Sequence, residues 1–132
     1  MIKSGATTGN LAIVETDEDF NIWSPLAVIR ANLKISLPKF LLFAMNSKEF
    51  QTSIQLFWSF GTQQNIGMDV IENLLVPFPP LSEQEAIASY LDVETSKLDR
   101  LIEKIENAIS TLTEYRTALI SEAVTGKFEV EN

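Results

Sequence analysis

The chain contains no cysteine and no histidine. Without cysteine there are no disulfides and no thiolate metal sites, and without histidine the commonest general base and zinc ligand is missing. Most hydrolytic and metal chemistry is thereby set aside. Positive charge is also scarce, with ten Lys and Arg against eighteen Asp and Glu for a net charge of −8. The deficit is uneven. Residues 1–80 hold five basic and seven acidic side chains, a balance of −2, whereas residues 81–132 hold five and eleven, a balance of −6. A nucleic-acid footprint normally shows as an excess of Lys and Arg, so composition alone speaks against DNA binding. No apolar run approaches the ~18 residues of a membrane span. The start, MIKSGATTGN, has one lysine and no apolar centre, unlike a secretory signal. A soluble, cytoplasmic protein without membrane attachment is expected.

At 132 residues the chain suits one core with an extension. The branched runs Leu11 to Val14 and Leu26 to Ile29, and later Leu74 to Val76, predict strands. Gly5 and Gly9 bracket the small residues ATT and predict a tight turn or a close backbone approach. Pro38 opens a helix, and Ser47, followed by Phe50, Ile54 and Phe57, starts a further helical series, so one bent helix or two consecutive helices lie here. Gly61 ends that region. A single turn is expected at Met68 to Glu72, and Pro77, Pro79 and Pro80 form a rigid exit.

The chain then changes character. Ser82 and Glu85 match a capping box that would start a helix at about Glu83. Neither Gly nor Pro follows until Gly126, which supplies a stop. A restart at DVET, with Asp92 as a new cap, is the alternative to one continuous helix. Leu91, Leu98, Ile105, Leu112 and Leu119 recur every seven residues, and Leu101, Ala108 and Tyr115 fill the intervening positions, which is a coiled-coil seam. Ile102 and Ile109 widen it, while Glu94 and Glu122 occupy seam positions at its ends. Burying about eight such side chains contributes on the order of 10–20 kcal/mol before entropy. The stripe folds back on the chain's own N-terminal part, or a second copy covers it; its length argues for the copy. The expected fold class is α+β, a small mixed globular part followed by a long C-terminal helix that forms an antiparallel coiled-coil dimer.

Candidates for chemistry are few. Asp17, Glu18 and Asp19 lack a spaced ligand pattern and read as a solvated loop, so no metal or other cofactor is expected. No glycine-rich phosphate loop is present. Thr62, Gln63, Gln64 and Asn65 form the one suggestive polar cluster, since amides can pair two-pronged with adenine edges and threonine can touch a phosphate or a thymine methyl. A polar surface turn is the plainer reading. Lys3, Arg30, Lys34, Lys39 and Lys48 can reach phosphates if the fold gathers them. Trp23, Phe57, Trp58 and Phe60 suit a core or an interface better than base stacking. The chain therefore reads as a non-catalytic binding or assembly protein.

The runs GTQQNIGMDVIENLLVPFPPLSEQEAIASYLD and KLDRLIEKIENAISTLTEYRTALISEAVTGKFEV resemble the end of a target recognition domain and the following helix in specificity subunits of type I restriction-modification systems. PPLSEQ and LTEYR…LISEAVTGK are the most specific segments, and SGATTGNLAIV, PLAVIR and LPKFLLFAMNSKEFQ extend the resemblance over essentially the whole chain. It implies residues 1–80 as part of a recognition domain and residues 81–132 as the spacer helix. Such subunits carry two recognition domains, each reading half of a split DNA target, and two long helices that pair antiparallel and help to dock methyltransferase (modification) subunits. This chain holds one domain-plus-helix half, and a complete recognition domain would have a considerable stretch before residue 1. The resemblance transfers DNA contact to the TQQN turn and Lys3, and helix pairing to Leu98, Leu101, Ile105, Leu112 and Leu119. Two alternatives use the same facts: an acidic decoy that occupies modification subunits without DNA, and an inert fragment.

Overall fold

A computed structural model describes residues 1–57, 59–60 and 64–127. It divides into two compact units, Met1–Leu91 and Asp92–Asn132. In the first unit, helices α1 (Pro38–Asn46) and α2 (Lys48–Leu56) follow one another directly, so the region forms two helices rather than a bent one. Pro38 stands in the first turn of α1, where its missing N–H costs nothing. Ser47 separates the helices with an extended backbone, and its side chain accepts from the Phe50 N–H, a cap that satisfies one orphan donor of α2. Helix α3 (Met68–Glu72) is the expected single turn. The core gathers Met45, Phe50, Ile54 and Ile66, with Leu11, Ile29, Leu74 and Val76 among the half-buried side chains packed around it.

Sheet structure is sparse. Strands β1 (Ser59–Phe60) and β2 (Gln64–Asn65) pair antiparallel, Ser59 with Asn65 and Phe60 with Gln64. Single bridges extend this ribbon, Ser4 pairing with Asn65 and Ile2 with Leu26. The Lys3 N–H donates to the Pro25 carbonyl at 2.8 Å and the Ile66 N–H to the Lys3 carbonyl at 2.7 Å, so residues 2–4 lie between the two neighbours. The strands expected at Leu11 to Val14, Leu26 to Ile29 and Leu74 to Val76 are therefore corrected: among the described residues they form no ladder beyond the Leu26 bridge. Their alternation is real, since Leu74 and Val76 pack on the core while Leu75 is 92% exposed. Alternation reports burial of one side, and a strand needs a hydrogen-bonded neighbour as well. Of the α+β expectation the long C-terminal helix stands, and the sheet shrinks to this ribbon in a mostly helical chain.

Gly5 and Gly9 both adopt positive φ, at 106° and 98°, around the turn at residues 6–9. A Cβ on Gly9 would stand 2.8 Å from the Gln51 side-chain oxygen, and Gln51 donates to the Gly9 carbonyl at 3.1 Å. The turn is thus both tight and closely approached, and glycine meets both demands.

Helix α4 (Leu81–Val124) is continuous for 44 residues, passing Asp92 without a break. At 1.5 Å per residue it is about 66 Å long. It begins two residues before the expected point, because the Pro80 carbonyl already accepts from the N–H groups of Glu83 and Gln84. Ser82 therefore sits inside the first turn and not at the cap, which corrects the capping-box reading. The far end stops where Gly126 predicts. With φ at 69°, Gly126 lets Lys127 donate to the Glu122 carbonyl and its own N–H to that of Ala123, a Schellman closure. No helix among the described residues is long and apolar enough to cross a membrane.

Candidate pairing helix and nucleic-acid interface

One face of α4 carries the candidate seam. Gln84 stands seven residues before Leu91 and extends the periodic positions backward. Along this face Gln84 and Ala88 are buried, Ile87 and Leu91 half-buried. Beyond that point the face is bare: Leu98, Leu101, Ile102, Ile105, Ile109, Leu112, Tyr115 and Leu119 are each 42–66% exposed, and Ala108 is exposed with them. The helix so aligns nine of the ten candidate seam residues as one exposed stripe, with Leu91 at its margin. Isolated surface apolar residues are unremarkable, whereas contiguous exposed apolar surface is a common property of interaction sites in general. Glu94, at the first intervening seam position, is engaged by Lys97 at 2.7 Å on the solvated surface.

Gln84 is the residue that sequence reading missed. It is fully buried, and its amide joins three segments of the first unit: the oxygen accepts from the Leu37 N–H at 2.9 Å, and the nitrogen donates to the carbonyls of Ile35 and Pro79, each at 2.8 Å. An amide is the side-chain group that can accept and donate twice in one plane. The loop before α1, the proline exit and the first turn of α4 are thereby pinned together. Its signal in the sequence was its place one heptad before Leu91, where a polar residue stands in an apolar column.

The candidate DNA-contacting residues come from distant parts of the chain. Hydrogen bonds from Ile66 to Lys3 and from Gly5 to Gln64, the latter at 3.0 Å, set Lys3 beside the segment Gln64–Asn65. The register puts Asn65 opposite Ser4, and Lys3 opposite the buried Ile66. Successive side chains alternate in direction across a pleated pair, so Asn65 and Lys3 leave the ribbon on opposite faces. Asn65 is exposed, Lys3 and Gln64 half-buried. Thr62 and Gln63 lie outside the described residues.

The first unit carries an open apolar groove of about 600 Å³, lined by Phe40, Phe43, Phe57, Leu75, Ile87 and Leu91 among others, with Glu49 the one titratable residue among the described residues that line it. Among the described residues no group of acidic side chains could hold a metal ion. Burial lowers the pKa of the Met1 ammonium, which donates to the Ala27 carbonyl at 3.0 Å.

The chain belongs to the type I restriction-modification DNA specificity domain family, whose model matches residues 1–111. It is a specificity domain, of the non-catalytic kind. A relative is the type I restriction enzyme EcoBI specificity subunit of Escherichia coli, 28% identical over 130 residues, a match covering 91% of this chain and 27% of that subunit. The chain thus spans about a quarter of its relative's length. No solved structure matches it.

Proposed function

We propose that this chain serves a type I restriction-modification system as a specificity module, residues 1–80 supplying part of a DNA-reading domain and residues 81–132 the spacer. The spacer pairs with the same helix of a second copy in antiparallel fashion, and the pair offers a docking surface to cytoplasmic modification subunits. The observation that carries this reading is the exposed stripe on α4, which loses water contact only against another apolar surface. Family membership supports DNA as the ligand and modification subunits as partners, and the exposed Asn65 amide supports contact with a base edge.

The acidity of residues 81–132 favours a second reading, in which the module occupies a basic DNA channel of modification subunits and delivers no DNA. Titration of labelled duplex DNA at several salt concentrations, with the protein alone and then with modification subunits, separates the two. Binding that weakens steeply as salt rises, and more weakly still after Asn65→Ala, is the result expected of a DNA reader. Capture of modification subunits with no DNA bound at low salt replaces it with the decoy, and the absence of both partners contradicts either reading.

A further inference from the structure

The pairing reading leaves register unspecified, but the order of side chains on α4 distinguishes one. We propose that two copies of α4 pair antiparallel about a twofold axis level with the Glu106–Asn107 peptide, so that Ile105 meets the partner's Ala108, Leu101 the partner's Leu112 and Leu98 the partner's Tyr115. The inference rests on the pairing reading and adds to it a defined geometry.

Two features of the helix select this arrangement. Ile102 and Ile109 flank the seam on one side only, while Lys97 and Lys104 flank it on the other. In an antiparallel pair like flanks face one another, and about this axis each Ile102 meets the partner's Ile109 while the lysines stay together at the wet edge. A parallel pair would instead set both isoleucines against lysines and each Glu94 against the partner's Glu94.

The glutamates fix the register. About the Glu106–Asn107 level, Glu94 and Glu122 fall in the outermost layers, where the Lys97 contact already holds Glu94 in solvent. Sliding by one heptad in one direction moves Glu94 inward, against the partner's Leu112. Sliding in the other sets Leu98 against the partner's Glu122, leaves Leu91 without a counterpart and brings Ile102 onto the partner's Arg116. In the symmetric register the carboxylates face the partner's Leu119 and Leu91 only in the terminal layers, beside water; the first displacement carries Glu94 into the dry interior, and the second forfeits the Leu91 layers and the contact between Ile102 and the partner's Ile109.

The chain has no cysteine, which makes a labelling test clean. Ser96, Glu103, Ser110 and Thr117 stand seven apart on the face away from the seam. Four single variants of the full chain, Ser96→Cys, Glu103→Cys, Ser110→Cys and Thr117→Cys, each carry one spin label per protomer, and pulsed dipolar spectroscopy reads the distance between copies. With a rise of 1.5 Å per residue, labels at 103 and 110 are offset along the axis by about 10 Å, and those at 96 and 117 by about 31 Å. The expected result is one shared distance for the inner two variants and a longer shared distance for the outer two. Equal distances at all four sites mean a parallel pair and overturn the proposal. A shortest distance at 103 alone or at 110 alone means a displaced register and also overturns it. A monomeric mass for the unlabelled chain removes the pairing reading itself, and is told apart from the other failures because no dipolar signal appears at any site.

Discussion

Removing the buried amide of Gln84 perturbs three contacts at once, which makes Gln84→Ala the sharpest probe of how the first unit is held. The substitution leaves the Leu37 N–H and the carbonyls of Ile35 and Pro79 without their partners, in a site where Gln84 itself has no solvent exposure. Each stranded group costs about 1–3 kcal/mol, and water entering the vacated space recovers part of that. A net loss of about 3–5 kcal/mol follows, a large share of the ~5–15 kcal/mol that holds an ordinary domain. Urea unfolding followed by far-ultraviolet circular dichroism measures it. Protein concentration is held constant so that pairing does not alter the apparent stability. Gln84→Met separates bonding from volume: it refills the space but restores no polar partner, so it should remain within about 1 kcal/mol of the alanine variant if the bonds dominate. Gln84→Glu is expected to be the least stable of the three at neutral pH, since a buried carboxylate accepts from Leu37 but cannot donate to two carbonyls. Its folded-state pKa lies above the unfolded value, so the folded protein holds the extra proton, and stability falls as pH rises through that range. A Gln84→Ala protein as stable as the parent, or a Gln84→Met protein restored to parental stability, would refute the pinning role.

Three other outcomes are expected. Ile105→Glu places a carboxylate in the middle of the stripe, which at about 3 kcal/mol weakens self-association about 100-fold; sedimentation equilibrium checks it, with Ile105→Leu as the control that leaves association intact. Ile54→Ala, at a fully buried core position, lowers unfolding stability by about 2–5 kcal/mol in the same urea assay, and Ile54→Val by about 1 kcal/mol. Gly9→Ala puts a Cβ at positive φ and obliges the Gln51 amide to shift, and costs about 1–3 kcal/mol by thermal melting; an unchanged melting temperature contradicts the need for glycine at this turn.

The sequence was most legible where one residue type decides a local event. Pro38, Ser47 and Gly126 each mark a boundary that the backbone respects, because a missing N–H, a capping hydroxyl and a tolerance for positive φ act within a few residues of themselves. The stripe from Leu98 to Leu119 was legible for the same reason, since a seven-residue period needs only the helix to become a surface. Strands were less legible. Leu11 to Val14, Leu26 to Ile29 and Leu74 to Val76 alternate as strands do, yet whether a ladder forms depends on a distant segment that local pattern does not describe. The same limit hid the meeting of Lys3 with Gln64 and Asn65, which depends on bonds between residues about sixty positions apart. Ser82 misled in the opposite direction, because the Pro80 carbonyl starts α4 earlier than a capping serine would. Gln84 escaped because a glutamine near a helix start ordinarily faces water, and only the loop at Ile35 and Leu37 turns it into an interior group.

On the proposed reading a second molecule of this chain covers the bare face of α4. Multi-angle light scattering on the intact protein at micromolar concentration tests it most directly. Covering by a second copy requires a mass of twice 14.8 kDa, and a mass of 14.8 kDa that persists as concentration rises rules it out.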